Sequence, residues 1–522
     1  MTRIAVVTAD GARELDARTI ATLPSSFVLM QRAAQAAAEW LHAREWRSAA
    51  VFVGTGNNGG DGWLIAGLLR ERGWTITVHA SGEPRTDDAR RARIDAEREG
   101  PFAMPTGHEA VMLDALLGTG SAGTPRAEVA EAMSAIRARA GGHCAVVAID
   151  LPTGLDATTG ADTGAVPAAI TLTFGSVKRG QLLRRDLVGE LVVLNIGLVE
   201  ADVETPRLVT SENVLDWLPA VPANAYKGTR GRVAIIGGEA GMAGAVILAA
   251  RGAHASGAGM VRADVDAQSA FPLQIAAPFA TVKTWRSESW RDIDSSWPDA
   301  MVIGPGLDGT SPHIRERVLE LLHRFTGPVV LDAGALTAFR SVPQSDIDEV
   351  DVADGTDDGL DSLRDALSGR PALLTPHVGE FERLFSPGEA PTDRFDAPRA
   401  LARVLNATVL LKGVPTVLAS PDGSRYVTAT GNPALAMGGT GDLLSGIAGA
   451  LLAQGLSPLH AGAAAAWVHG TAAEHATTHH GSWRGVTMDL LLHEVSNVWP
   501  RLVAHTSHSP HTLLSLPAVP CR

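Results

Sequence analysis

The chain has 522 residues, 45% of them hydrophobic, and 44 basic residues against 57 acidic ones give a formal net charge of −13. That balance, with no long lysine or arginine block, sets aside nucleic acid and anionic membrane as expected partners. The longest apolar span, Leu443 to Gly455, contains Ser, Gly and Gln and is too short to cross a bilayer. Ile4 to Val7 is likewise too brief for a signal peptide. Two cysteines, Cys144 in an apolar run and Cys521 next to the last residue, argue against a structural disulfide and fit a reducing cytoplasm.

In chain order, Phe27 to Arg44 reads as an alanine-rich amphipathic helix. Ala49 to Val53 reads as a buried strand that runs into Gly54-Thr55-Gly56-Asn57-Asn58-Gly59-Gly60-Asp61-Gly62. A helix from Trp63 to Arg72 and strands at Thr75 to Ala80, Ala110 to Leu113, Cys144 to Ile149 and Ile170 to Phe174 follow. Strand and helix alternating in this way predict a parallel sheet with helices on both faces. Ligands bind such a sheet beyond the carboxyl ends of its strands. Asn57, Asn58, Asp61, Asp114, Asp150 and Lys178 all follow or end strands, so they are expected to converge on one crevice.

After a proline-bearing linker-like stretch, Thr205 to Ala223, the alternation starts again. Arg232 to Gly238 opens it. Ala300 to Ile303 leads to Gly304-Pro305-Gly306, Val329 to Leu331 to Asp332, Ala372 to Leu374 to Thr375-Pro376-His377, and Thr408 to Leu411 to Lys412-Gly413. The segment Asp346 to Asp365 holds nine acids against one arginine and is expected to be a solvated, disordered loop. The Pro/Ser/His-rich end is expected to be mobile.

The stretch Gly438-Gly439-Thr440-Gly441-Asp442 runs straight into an apolar helix. Glycines there let backbone N–H groups turn inward, and the unpaired N–H groups of the first helical turn attract an anion, usually phosphate. A carboxylate at Asp442 repels that anion unless it serves as the base for the hydroxyl that attacks it. A plain capped helix start explains the same residues equally well at this point. In the first half, the amides and asparagine carbonyls of Gly54 to Gly62, with Asp114 and Thr153 on neighbouring strand ends, offer oxygen ligands for a hard cation and N–H groups for a phosphate.

GTGNNGGDG (Gly54 to Gly62), DALLGTG (Asp114 to Gly120), AIDLPTGLD (Ala148 to Asp156) and TFGSVKRG (Thr173 to Gly180) together resemble the YjeF N-terminal family of NAD(P)H-hydrate epimerases, over Ile4 to Leu198. That resemblance implies contacts to the hydrated dinucleotide from Asn57, Asn58, Gly59, Gly60 and Asp61, from Gly118, Thr119, Gly120, Ser121, Ala122, Gly123 and Thr124, and from Asp150. It also implies K+ ligation by Asn58, Asp114 and Thr153, the last standing where the family more often has serine. Epimerisation at C6 needs proton transfer, for which Asp150 and Lys178 are the candidates.

The second half resembles the YjeF C-terminal family of ADP- or ATP-dependent NAD(P)H-hydrate dehydratases, which have a ribokinase-like fold. The likeness rests on KGTRGRVAIIGG (Lys227 to Gly238), the glycine- and alanine-rich stretch Ala240 to Val261, GPGL (Gly304 to Leu307), TPHVGEFERL (Thr375 to Leu384), LLKGVPTVLA (Leu410 to Ala419) and GNPALAMGGTGDLLSG (Gly431 to Gly446). It implies that Ala245, Gly306, His377 and Asp442 contact the hydrate, and that Lys412, Gly413, Val414, Pro415, Thr416 and Gly441 contact the nucleotide. Asp442 would be the catalytic base, Mg2+ would assist at the phosphates, and ADP is the expected co-substrate.

The expected fold is thus α/β: two doubly wound three-layer α/β/α domains, Rossmann-like over residues 1–205 and ribokinase-like over 208–505, with a mobile tail at 506–522. The expected function is a bifunctional repair enzyme acting on NADHX and NADPHX, cytoplasmic, with alanine-rich surfaces pointing to a homo-oligomer. The competing expectation is a vitamin or sugar kinase with a non-catalytic N-terminal binding module. The NNGGDG site, which a kinase does not need, weighs against it.

Overall fold

The computed structural model describes residues 3–121, 123–140, 144–285, 290–341, 359–504 and 511–519. Two compact units divide them, 3–208 with 511–519 and 209–504.

The strands of the first unit are β1 (Ile4–Val7), β2 (Ser48–Val53), β3 (Thr75–Ala80), β4 (Val111–Ala115), β5 (Ala145–Ile149), β6 (Ile170–Phe174), β7 (Ser176–Lys178), β8 (Glu190–Leu194) and β9 (Arg207–Leu208). The main sheet runs β8-β6-β5-β4-β2-β3, all parallel. Its inward residues are unbroken aliphatic runs, as a sheet covered on both faces requires. Helices Ser26–His42 and Asn57–Glu71 cover one face through Phe27, Leu41, Ile65 and Leu69, and Ala127–Arg139 covers the other through Met133 and Ile136. The chain steps from β2 outward to β3 and then returns to the far side of β2 for β4. The crevice at that reversal, outside the carboxyl ends of β2 and β4, is where such a sheet takes a ligand. A small side sheet pairs β1 parallel to β7 and antiparallel to β9, with Val7 opposite Lys178.

The second unit contains β10 (Arg232–Ile236), β11 (Met260–Val265), β12 (Thr281–Thr284), β13 (Ala300–Ile303), β14 (Val329–Leu331), β15 (Ala372–Leu374), β16 (Thr408–Leu411), β17 (Thr416–Ala419) and β18 (Arg425–Thr428). They order β12-β11-β10-β13-β14-β15-β16-β17-β18, parallel as far as β16 and antiparallel beyond. Helices Ala243–Ala255, Thr440–Ala453 and Pro458–His480 bury their alanines and leucines on one face. Pro312–Arg324 and Ala397–Leu405 pack Val318, Leu322 and Leu401 on the other. Both units are therefore doubly wound α/β sandwiches. Among the described residues no helix is long and apolar enough to cross a membrane.

Three expectations need correction. The helix placed from Trp63 begins at Asn57, so NNGGDG forms its first turn. The tail expected to be mobile contains a strand, β19 (Thr512–Leu516), antiparallel to β8 of the first unit; residues 505–510 and 520–522, Cys521 among them, lie outside the described residues. Of the acidic segment, 342–358 lies outside the described residues, but Gly359–Leu367 is a helix that buries Leu360, Leu363, Ala366 and Leu367. Four apolar side chains on one stripe outweigh the charge on the opposite face.

Candidate functional site

At the β2–β4 crevice, steric fit builds the first site. A Cβ on Gly54 would stand 1.8 Å from the Leu116 carbonyl oxygen, and one on Gly59 would stand 2.0 Å from the Gly54 oxygen. Only glycine lets these two loops touch, and their contact starts the helix at Asn57 with its first N–H groups at the crevice. The cavity so formed measures about 700 Å³. Asn57, Asn58, Asp61, Gly118, Thr119, Gly120, Ser121, Gly123, Thr124, Asp150 and Lys178 all line it, while Ala122 lies outside the described residues. Gly59 and Gly60 do not line it; both are buried in the helix's first turn, Gly60 against Met30.

Asp150 follows β5 in a left-handed conformation, φ 71°, which a side-chain-bearing residue adopts only when its surroundings hold it there. Here its N–H donates to the Leu172 oxygen at 2.8 Å, and Gln181 Nε2 donates to its carbonyl at 2.6 Å. That backbone turns the carboxylate into the cavity. One oxygen pairs with Lys178, and the other accepts from the Thr119 N–H at 2.9 Å and the Thr119 hydroxyl at 2.5 Å. Lys178 also donates to the Thr173 hydroxyl at 2.8 Å. Enclosure opposes the charge on Asp150, but Lys178 and the Thr119 donors outweigh it and hold the carboxyl below its usual range. Asp61 goes the other way: enclosure first, then Asp150 and Asp16, push it well above.

Asp114 and Thr153 sit beneath the cavity rather than on its wall. Asp114 is fully buried and accepts from the Thr153 hydroxyl at 2.7 Å, the Thr153 N–H at 2.9 Å and the Leu116 N–H at 3.3 Å. Burial raises it, and no cation of the described protein neutralises it. Beside the crevice, both the Oδ1 and Nδ2 atoms of Asn58 are buried without a partner. A buried amide oxygen lacking a donor and a buried carboxylate lacking a cation fit an oxygen-liganded monovalent ion.

The second site forms at the same place in the second sheet. The segments after β13, β14, β15 and β16, four adjacent parallel strands, deliver Gly304 to Gly306, Asp332, Thr375 to His377, and Lys412 side by side. Lys412 Nζ lies 2.8 Å from Asp332 Oδ1 and 3.8 Å from Glu380 Oε2. Both carboxylates are buried. His377 caps the helix Val378–Arg383: its Nδ1 accepts from the Glu380 N–H at 3.2 Å, and Glu380 Oε2 accepts from the His377 N–H at 2.9 Å.

The GGTGD turn closes over this group. Gly439, φ 92°, begins the helix Thr440–Ala453, and a Cβ on Gly441 would come within 3.3 Å of Lys412 Nζ. Asp442 is pushed up to about 7, by burial first and by Asp332 and Glu380 after it, with Lys412 pulling down. That places it near neutrality, where a general base works best. Gly439, not Asp442, is the N-cap of this helix, and no side chain makes a capping hydrogen bond there, so the plain-cap reading of Asp442 lacks its bond. Ala245 and Gly306 adjoin one another, a Cβ on Gly306 falling 3.2 Å from that of Ala245. The loop Lys412 to Thr416 is tied down by Arg394, which donates to the Lys412 oxygen at 2.9 Å and the Pro415 oxygen at 2.8 Å, and by Thr416, whose hydroxyl donates to the Gly413 oxygen at 2.9 Å. Val414 is exposed at its tip.

Sequence reasoning missed Asp332 and Glu380 as members of this site, and Asp16 as a member of the first, where it lines the cavity. Glu380 carried a signal, its spacing of three from His377 at a helix start. Asp16, one of three acids on the helix Ala9–Ile20, carried none.

Comparison with known proteins matches the two units separately. Residues 26–180 match the family model of the YjeF-related protein N-terminus, and residues 233–497 match that of NAD(P)H-hydrate dehydratase. The chain is 34% identical over 469 residues to the bifunctional NAD(P)H-hydrate repair enzyme Nnr of Escherichia coli (strain K12), covering 86% of this chain and 85% of that one. It is 34% identical over 501 residues to the enzyme of the same name from Coxiella burnetii, covering 92% and 96%. Among solved structures, an ADP/ATP-dependent NAD(P)H-hydrate dehydratase from Bacillus subtilis, co-crystallized with ATP/Mg2+, is 31% identical and covers 57% of this chain and 98% of its own, with a TM-score of 0.47. Matched through both halves and over most of its length, the chain belongs to the family of bifunctional NAD(P)H-hydrate repair enzymes.

Proposed function

We propose that the first unit epimerises the R and S forms of hydrated NADH and NADPH and that the second dehydrates the S form to NAD(P)H, converting ADP to AMP and phosphate. The observation that carries this reading is Asp442, a carboxyl held near neutrality at a glycine-turned helix start beside the buried Lys412, Asp332 and Glu380. Family membership supplies the substrate.

In the second site Asp442 takes the proton of the C6 hydroxyl as its oxygen attacks the terminal phosphoryl group of ADP. The N–H groups of the turn donate to the phosphoryl oxygens on which charge develops. Phosphate then leaves C6, a proton leaves C5, and the C5=C6 double bond is restored. Ala245, Gly306 and His377 hold the hydrate, and the loop Lys412 to Thr416 with Gly441 holds the nucleotide. Asp332 and Glu380, both beside Lys412, would hold Mg2+ with the nucleotide, and the ion would supply positive charge to its phosphates.

In the first site the cavity takes the hydrated nicotinamide end. Lys178, held by Asp150 and Thr173, presents an ammonium to the C6 oxygen, and Asp150 exchanges protons with it. Asn58, Asp114 and Thr153 would hold K+, which supplies a fixed positive charge under the glycine turn. We place the enzyme in the cytoplasm and propose that it forms a homo-oligomer.

The test is to incubate the protein with mixed R and S hydrates, Mg2+ and either ADP or ATP, and to follow recovery of dihydronicotinamide absorbance. Recovery of both epimers is expected. No recovery with either nucleotide would sink the dehydratase assignment. The kinase alternative has no observation in its favour, because both halves of the relatives are present here.

A further inference from the structure

Epimerisation exchanges the faces of one carbon, so a proton must be delivered on one face and collected on the other. The Asp150–Lys178 pair comes from the ends of β5 and β7 and is closely engaged, each Asp150 oxygen already having donors. A second wall of the same cavity is the helix Ala9–Ile20. Its place is set by β1, whose last residue Val7 pairs in register with Lys178, and by Ala12 and Leu15, which pack on Ala5 and Val7. Asp16 projects from this helix into the cavity. Among the described residues it accepts no hydrogen bond and joins no ion pair, yet Lys178 and Asp150 are near enough to act on it electrostatically. It also lies outside the segment 26–180 that matches the family model.

We propose that Asp16 is a second proton-transfer residue of the epimerase, serving the ring face that Asp150 and Lys178 do not reach. The proposal rests on the epimerase reading above. On one face Lys178 protonates the C6 hydroxyl, the C6–O bond breaks, and water leaves with the bonding pair while the N1 lone pair forms a C6=N1 iminium. On the other face a water adds to C6, the iminium pair returns to N1, and Asp16 takes the proton released by that water. The proton passes back through cavity water to Lys178, so the cycle is balanced and neither direction is favoured. Asp16 is exposed to solvent where it lines the cavity, and partial desolvation of its carboxyl by the surrounding wall raises it to about 6, which suits a group that must both take and return a proton near neutrality.

The experiment uses the full chain and one purified hydrate epimer, with appearance of the other followed chromatographically and enzyme-free interconversion subtracted. Wild-type protein must accelerate the exchange; if it does not, the epimerase reading falls, and the proposal with it. Given an active wild type, Asp16→Asn is expected to lower kcat roughly 10²-fold at unchanged KM and to abolish the loss of rate on acidification through about pH 6. Asp16→Glu is expected to restore part of the rate. The far-ultraviolet circular dichroism and the thermal unfolding profile of each variant, both compared with wild type, report that the first unit is folded. An Asp16→Asn enzyme that keeps the wild-type kcat and acid limb would overturn the proposal, and so would one that loses only KM, which would make Asp16 a binding contact.

Discussion

Lys412 Nζ lies 2.8 Å from Asp332 Oδ1, and that ion pair sits beside the turn carrying Asp442. The arrangement fixes a pH dependence for dehydration. Asp442 must be ionised to accept the hydroxyl proton, and burial with two neighbouring carboxylates pushes it to about 7. kcat/KM should therefore rise as pH rises through about 7 and level off above it. Asp442→Asn should lower the rate by roughly 10²-fold or more and remove that limb. A rate independent of pH between 6 and 8 in the wild type, the window that brackets about 7, would count against Asp442 as the base.

Lys412→Met tests the other partner. Lys412 is the group that draws Asp442 downward, so its loss should move the rising limb to higher pH as well as weaken nucleotide binding. It also leaves Asp332 and Glu380 buried without their cation, which costs about 3 kcal/mol of stability. Both effects are readable in one protein preparation, by a kinetic pH profile and by a denaturation midpoint. A stability loss with no movement of the limb would separate the structural role of Lys412 from its effect on the base.

The orphaned amide of Asn58 gives a prediction for the epimerase. If it completes a K+ site with Asp114 and Thr153, epimerisation should be activated by KCl and not by LiCl at the same ionic strength. Asn58→Ala should raise the half-activating K+ concentration roughly 10-fold or more. Thr153→Ser, which keeps the hydroxyl that Asp114 accepts, should change it little. Equal rates in the two salts would remove K+ from the mechanism.

How far the sequence reveals this molecule varies with the kind of signal. Strands such as Ala300–Ile303 and Thr408–Leu411 are legible to the residue, being short aliphatic runs stopped by glycine, proline or lysine–glycine. The helix start at Asn57 is not, because glycines weigh against helix by propensity and only the fit of Gly59 against Gly54 forces the turn. The strand Thr512–Leu516 hides in a Pro/Ser/His-rich end because its partner, β8, is more than three hundred residues earlier in the chain. Of the sites, residues within glycine motifs, such as Asn58 and Asp442, are marked by spacing. Asp16 becomes a cavity residue only when its helix docks at the crevice, and Asp332 a site residue only when the sheet brings it beside Lys412.

His469 yields a prediction about stability. It lies in the helix Pro458–His480, 6% exposed, with its Nε2 buried and unpartnered. Burial chiefly, and Lys412 in addition, lower it from the ordinary 6.5 to about 4. The folded protein thus holds this histidine neutral while the unfolded chain can protonate it. The stability it contributes is fully present above about 6.5 and is lost as pH falls toward about 4, a span worth roughly 3 kcal/mol. Replacing it with an uncharged side chain of similar bulk, His469→Leu, should flatten that part of the curve. The check is the difference in urea midpoint between wild type and variant at pH 7 and at pH 4.5, which cancels the titrations they share. The gap should widen in favour of the variant at the acid end; parallel curves would show that His469 does not titrate on unfolding.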